Sequence, residues 1–456
     1  MLMFIGDGFP EIIWPTIPGS QAARIQAMLF QLEQSQWWPS DIIARCQFGQ
    51  VRRVIEFAAR TVPFYRELYG TDSLSLSSPE EFIRLPILSR PDVQSADTTM
   101  HSTALPKRHG QVGQTLTSGS SGQPVRALST EVTRSFWRVF TLRDHFWHRR
   151  DFSGKLAAIR DTDSNDARPP LGKTVSNWGS ATAGVVETGP GALLTIQSNI
   201  LEQADWISRV DPDYLIVYPS TALALASQHV NASRKLHRLR EIRTFGEILE
   251  PNVRQIIRDS FGVNVVDMYS SQEVGYIALQ CPNSESYHVQ AENVLLEILD
   301  DSGKPCGPGQ VGRVVVTTLH NFAMPLIRYD LGDYAEVGPP CPCGRGLPVL
   351  TRIVGRQRNM LRLPDGRQVW PTLIRGDRPE QLPPIQQFQL IQRTLSELEL
   401  KVVLPAQLSQ DQESFLKQYL RQTLGHPFEI VITRVTDIPR SPTGKYEEFR
   451  SEITAH

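Results

Sequence analysis

The sequence predicts an α/β protein, a large N-terminal α/β core with a β-rich portion followed by a small C-terminal α+β domain. Three observations carry this expectation. Between Leu156 and Val266, short apolar runs such as "KLAAI", "YLIVY" and "VNVVDMY" alternate with helix-like stretches such as "NVRQIIRDSFG", the rhythm of an α/β layer structure. After Glu292 the text "VLLEILDDSGKPCGPGQVGRVVVTTL" sets two strand-like runs around Asp, Gly and Pro, which reads as a hairpin. The tail alternates at Leu398, Leu400, Val402 and Leu404, spaces Phe415, Leu416, Tyr419, Leu420 and Leu424 at helical intervals, and alternates again at Phe428, Ile430 and Ile432.

The elements follow in chain order. From Ile25 to Leu68, "AMLFQLEQ" and "VRRVIEFAARTVPFYREL" carry helical spacing, interrupted at Pro63. "YLIVYPSTALALA", from Tyr214, is broken by Pro219 and too short to cross a bilayer; it reads as buried strand, turn and helix. "RDTDSNDARPPLG" reads as a loop. A chain of 456 residues exceeds what one core organises. The boundary is expected near "VGRQRNML", giving domains 1–354 and 355–456.

Composition narrows the function. Apolar residues at 40%, charged residues at 21% and a formal charge of −1 describe an ordinary globular chain with no field to gather nucleic acid. The opening "MLMFIGDGFPEIIWP" has no basic leader and meets Asp7 and Pro10, so neither export nor membrane insertion is expected. Five cysteines in a chain of this length make no disulfide scaffold, and the expected compartment is the reducing cytoplasm.

Two constellations carry chemistry. "LTSGSSGQPVRA" places Thr117, Ser118, Ser120 and Ser121 around Gly119 and Gly122: glycines expose backbone N–H groups and hydroxyls add donors, a combination suited to phosphate oxygens. A flexible Ser/Gly linker is the alternative. The second is "CPNSESYH" with the distant "CPCGRG". Cys281 and His288, six residues apart, and Cys341 and Cys343, one residue apart, offer three thiolates and an imidazole for a structural Zn2+ with no open position. Cys306 reads as a turn bystander. Unmetallated thiols with a satisfied histidine are the alternative.

The residues "TSGSSGQP" resemble the phosphate loop of adenylate-forming enzymes, in particular the phenylacetate-CoA ligase and CapK-like branch. Four further segments resemble that family in the same order: "VDMYSSQEVG", "MPLIRYDLGDYAEVG", "RIVGRQRNML" and the lysine loop "PRSPTGKYEEFR". The resemblance implies ATP-dependent activation of a carboxylic acid as an acyl-adenylate, followed by transfer to CoA. It implies that Glu273 anchors Mg2+, that Tyr269, with Ser270 and Ser271, sits near the adenine, and that Gly246 and Glu247 line the base. Asp333 and Arg356 would face the ribose, and Lys445, on a mobile C-terminal domain, would be the transition-state cation.

The place where the family builds its substrate wall reads "VSNWGSATAGVVETG", so Trp178, Ala181, Ala183 and Gly184 are expected to leave a small, partly aromatic pocket for an aryl or short acid, with core packing of Trp178 as the alternative. Where the family follows its hinge with Asp-Asp, this chain has Arg358 and Asn359, so an amine or a carrier-protein thiol stands beside CoA as acceptor. A catalytically silent nucleotide-binding protein is the reading from another class. A homodimer is compatible with the resemblance.

Overall fold

A computed structural model describes residues 4–453 apart from 7, 10, 13, 71–73, 117–124, 163, 233–235, 357–358, 372–380, 382–384 and 442–443. The expected phosphate loop, Thr117 to Gly122, and the expected hinge residue Arg358 therefore lie outside the described residues.

A twelve-stranded sheet spans the core. One half is parallel: Leu156–Arg160, Gly191–Thr195, Tyr214–Val217, Glu241–Phe245 and Asn264–Ser271 run the same way, with helices Ile200–Val210, Pro219–Ala232 and Pro251–Phe261 among their connections. Strand Lys173–Val175 closes that edge antiparallel. These strands carry nearly continuous apolar runs because helices cover them; Ile159, Leu194, Leu215 and Ile242 pack with Trp206 and Val253. Pro219 opens its helix at the first position, where a missing N–H costs nothing.

The other half is antiparallel. Strand Asn264–Ser271 turns back through Gln272–Val274 into Gly275–Gln280, and Tyr287–Val289, Val349–Arg356, Tyr329–Val337, Val311–Thr318 and Val294–Leu299 complete it. The expected hairpin is present, with Val294 opposite Thr318 and Leu299 opposite Arg313. The N-terminal helices Ser40–Thr61 and Pro63–Tyr69 lie on this half, their Val54, Ile55 and Tyr65 packed with Ile277, Val316 and Tyr329. Val62, before Pro63, is extended (φ −107°, ψ 113°), as steric conflict with a following proline requires, and this separates the two helices.

The tail has its own core. Strands Glu429–Arg434, Glu397–Val403, Gln387–Gln392 and Phe449–Ser451 lie side by side in that order. Leu398, Leu400 and Val402 point inward with Leu416 and Leu420 of helix Gln410–Leu424, whose capping box uses Ser409 and Gln412. The short strand Phe449–Ser451 has too little alternation to be read from sequence. Strand Val349–Arg356 crosses the expected boundary between residues 354 and 355. Among the described residues no helix is long and apolar enough to cross a membrane.

Asp267 links the two halves. Its buried carboxylate accepts from Thr244 Oγ1 at 2.6 Å and Tyr287 OH at 2.7 Å, and its N–H donates to Gln280 Oε1 at 2.8 Å. Burial pushes its pKa up to about 6, against the pull of those hydrogen bonds. The folded chain therefore holds this proton more tightly than the unfolded one, so the contribution is full below about pH 4 and is lost as pH rises to about 6. Urea unfolding across this range is expected to show wild type losing on the order of 3 kcal/mol relative to Asp267→Asn. Parallel pH profiles for the two proteins would refute this.

Candidate active site

The site forms at the carboxyl ends of the parallel strands, where a sheet that changes direction leaves a crevice. Strand Glu241–Phe245 ends in Gly246 and Glu247, and strand Asn264–Ser271 ends in Tyr269, Ser270 and Ser271. The register slips between Tyr269 and Ser270, a bulge that re-aims the strand end. The turn beyond it carries Glu273, and Ser271 Oγ accepts the Val274 N–H at 3.2 Å.

Asp333 and Arg356 face each other across adjacent strands, and Arg356 Nε meets Asp333 Oδ1 at 3.1 Å. Tyr269 OH donates to Asp333 Oδ2 at 2.7 Å. Three residues distant in sequence thus share one carboxylate. Burial first, then the charge of Asp333, raises the Tyr269 pKa well above its ordinary value and keeps the phenol a donor.

Lys445 reaches this group from the C-terminal sheet. Its loop closes on itself: Gly444 N–H donates to Ser441 O at 2.8 Å and Ser441 N–H to Lys445 O at 2.9 Å. Gly444 has φ +80°, and a Cβ there would lie 2.3 Å from Ile196 Cγ2, so only glycine allows the loop to seat against the core. A Cβ at Gly246 would lie 3.6 Å from Lys445 Cε and 2.9 Å from the Tyr218 ring, which marks how closely the lysine stem passes over Gly246. Burial, joined by the Arg356 guanidinium, lowers the Lys445 pKa, while Asp333, Glu247 and Glu273 oppose the fall.

Glu247 has a part that its place beside Gly246 did not suggest. One carboxylate oxygen accepts the Ser220 N–H at 3.0 Å, at the start of helix Pro219–Ala232, and the other accepts the Tyr446 N–H at 2.7 Å. The free N–H groups of a helix start favour an anion, and Glu247 uses them to dock the lysine loop. Arg440, absent from the sequence reading, donates to Ser220 Oγ at 2.9 Å and to Gly444 O at 3.0 Å across the same junction.

Glu273 also has an unforeseen partner, Arg90, at 3.0 Å. Backbone bonds from Leu88 N–H to Arg328 O and from Asp330 N–H to Leu88 O tie residue 88 to strand Tyr329–Val337 and bring Arg90 to the turn. No local pattern around "LSRPDV" signals this, because the partner lies 183 positions away.

Beside Glu273 lies a cavity of about 150 Å³. Strands Gly113–Leu116 and Arg126–Ser129, which flank the phosphate loop, form one wall, and Trp137, Phe140, Val274 and Tyr276 supply apolar surface, with Asn293 and His320 as polar groups. The expected wall residues are elsewhere. Trp178 is buried against Phe152 (5.2 Å between ring centroids) and donates Nε1–H to Gly154 O, so its indole is spent in the core. The carbonyls of Ala181 and Ala183 accept from Arg138, and Gly184 occupies a turn at φ +73°. None of the four lines the cavity.

The Cys/His group converges. The ligand atoms of Cys281, His288, Cys341 and Cys343 all lie within 4.8 Å of one another. Cys281 Sγ and Cys341 Sγ are 3.7 Å apart, and Cys343 Sγ and His288 Nε2 3.3 Å apart. Burial, joined by Arg345, lowers the His288 pKa to about 4, leaving a neutral imidazole with a lone pair. Burial pushes Cys341 up to about 11, whereas Cys343 is held below the ordinary thiol range, its burial outweighed by hydrogen bonds from Arg345.

Comparisons with known proteins agree with the motifs. The CapK C-terminal domain family matches residues 380–451. A phenylacetate-coenzyme A ligase of Thermus thermophilus is 26% identical over 379 residues, 80% of this chain and 82% of the relative. Its counterpart from Pseudomonas putida is 24% identical over 343 residues, 73% and 75% of the two chains. The solved structure of a 2-hydroxyisobutyryl-CoA ligase in the postadenylation state, in complex with 2-HIB-AMP, is 20% identical, overlaps with a TM-score of 0.70 and covers 92% of each chain. The fold is that of adenylate-forming ligases.

Glu247→Ala leaves the Ser220 and Tyr446 N–H groups without their acceptor. Hydrogen bonds to a charged group contribute about 1.5–3 kcal/mol, so amide exchange at Tyr446 is expected to quicken roughly ten- to hundredfold while strand Tyr214–Val217 keeps its protection. Unchanged exchange at Tyr446 would remove the docking role.

Proposed function

We propose that this relative of the phenylacetate-CoA ligases, built on the adenylate-forming fold, activates a carboxylic acid with ATP. The products of the first step are an acyl-adenylate and pyrophosphate; the acyl group then passes to the thiol of CoA. One observation carries the reading: Lys445, on a loop of the C-terminal sheet, is partly buried at the carboxyl edge of the main sheet within the field of Asp333, Glu247 and Glu273.

Attack of a carboxylate on the α-phosphate brings two anions together, so a cation is needed where charge gathers, together with groups that hold the reactants in line. Lys445 supplies that cation. Asp333 accepts hydrogen bonds from the ribose hydroxyls, steadied by Tyr269 and Arg356; Gly246 and strand end Ser270 and Ser271 border the base; Thr117 to Gly122 hold phosphate oxygens. Glu273, now paired with Arg90, would be the protein carboxylate for the Mg2+ of MgATP, since Mg2+ usually takes one or two such ligands with phosphates and water, and the ion would neutralise phosphate charge.

The cavity beside Glu273 receives the acid. Its volume and the surfaces of Trp137, Phe140 and Tyr276 suit a compact aryl or short acid, replacing the wall once expected at Trp178. The main sheet, including Arg356 at the end of strand Val349–Arg356, acts as the body, and the chain beyond that strand acts as the unit that moves after adenylation. The junction through Glu247 and Arg440 supports this, because its hydrogen bonds can be broken and remade.

Pyrophosphate exchange into ATP across a panel of carboxylic acids tests the first step. Exchange with aryl or short acids is expected, and Lys445→Ala should slow it by about 10²–10³-fold while a supplied acyl-adenylate still reacts with acceptor. Nucleotide binding without exchange for any acid would instead indicate a silent nucleotide-binding protein. Product analysis with CoA and amines in competition decides the acceptor, with thioester the expected product and amide the outcome that would redirect the second step.

A further inference from the structure

We propose that Cys281, His288, Cys341 and Cys343 form a structural zinc centre that pins the far ends of the strands carrying the active site. A tetrahedral zinc ion with bonds of about 2.3 Å to sulfur and about 2.0–2.1 Å to nitrogen sets sulfur–sulfur edges near 3.8 Å and sulfur–nitrogen edges near 3.5 Å. The pairs Cys281–Cys341 at 3.7 Å and Cys343–His288 at 3.3 Å lie close to those edges. A disulfide needs about 2.05 Å, far shorter than the cysteine pair shows.

The surroundings also suit thiolate ligands. Asn283 N–H points at Cys281 Sγ at 3.4 Å, and Ser284 Oγ lies 3.9 Å from Cys341 Sγ. Zinc with three thiolates and a neutral imidazole carries one net negative charge. Arg345 provides the neighbouring cation and is itself fixed: Nε donates to Gln36 Oε1 at 2.7 Å, and the guanidinium lies 4.4 Å from the Trp147 ring and 4.8 Å from the Trp37 ring. All four ligands come from the protein, so no coordination position is left for substrate.

The place in the fold states the role. Strand Gly275–Gln280 leaves the Glu273 turn and ends at Cys281; His288 lies in the neighbouring strand Tyr287–Val289; Cys341 and Cys343 precede strand Val349–Arg356, which ends at Arg356. Strands of six and eight residues separate metal from site, roughly 20–25 Å at the usual rise. The ion therefore fixes strand ends and takes no part in the chemistry.

The test uses the full chain purified from zinc-containing medium without chelator. About one tightly held zinc per chain is expected by elemental analysis, and replacement by Co2+ should give the visible absorption of a tetrahedral thiolate site. Cys343→Ser should lower the zinc content several-fold and reduce the thermal midpoint, whereas Cys46→Ser, at an exposed position, should change neither. A folded wild-type protein with no bound zinc would overturn the proposal, as would a Cys281–Cys341 disulfide found by mass spectrometry or an octahedral Co2+ spectrum. The metal and Co2+ measurements on wild type decide the matter even where a variant does not fold.

Discussion

Strand Asn264–Ser271 runs parallel to one neighbour and antiparallel to the other, and the crevice depends on this change of direction. On the parallel side, strand ends deliver Gly246 and Tyr269 to one edge. On the antiparallel side, a short turn holds Glu273 at the same edge, and the pairing of Asp333 with Arg356 adds an anion and a cation from strands farther along the sheet. A parallel partner in place of Gly275–Gln280 would need a long crossover, and Glu273 would leave the crevice.

Charge balance in the crevice follows from this crowding. Lys445, Arg356 and Arg90 stand among Asp333, Glu273 and Glu247, so these partly buried charges have opposite charges close by. Unit charges 4 Å apart interact by about 4 kcal/mol at an effective dielectric near 20, enough to hold these groups in place. Phosphates entering such a site exchange one set of ionic partners for another, which limits the cost of stripping the cations of water. The lowered pKa of Lys445 reflects its loss of water and the nearby Arg356, a lysine whose charge an incoming phosphate would favour.

The Cys/His cluster and the crevice occupy opposite ends of the same antiparallel strands. Fixing one end narrows the freedom of the other, since a paired strand transmits displacement along its hydrogen-bond ladder. The segment with Cys341 and Cys343 also meets the N-terminal helices, where Gly346 N–H donates to Gln36 O at 2.9 Å. Helix, Cys/His cluster and site-bearing strand therefore form one connected support.

Local patterns in the chain were enough for much of this molecule. A short continuous apolar run gave the strand around Leu215 and alternation the strand around Leu400, helical spacing gave the helix at Leu416 and Leu420, and ordered motifs placed Lys445, Asp333, Arg356 and Tyr269 in one family resemblance. Cysteine and histidine spacing likewise named the four residues that converge. Trp178 shows where such reading ends: the same aromatic among small residues suits a pocket wall or a core, and only its packing on Phe152 and its bond to Gly154 decide between them. The partners of Glu247 and Glu273 were equally hidden, because Tyr446 and Arg90 are almost 200 positions away and a hydrogen bond between distant residues leaves no periodic trace. Sequence alone determined which elements form and which chemical groups are available; the tertiary fold decided which of those groups meet, since contact depends on how the sheet turns and where each loop is seated.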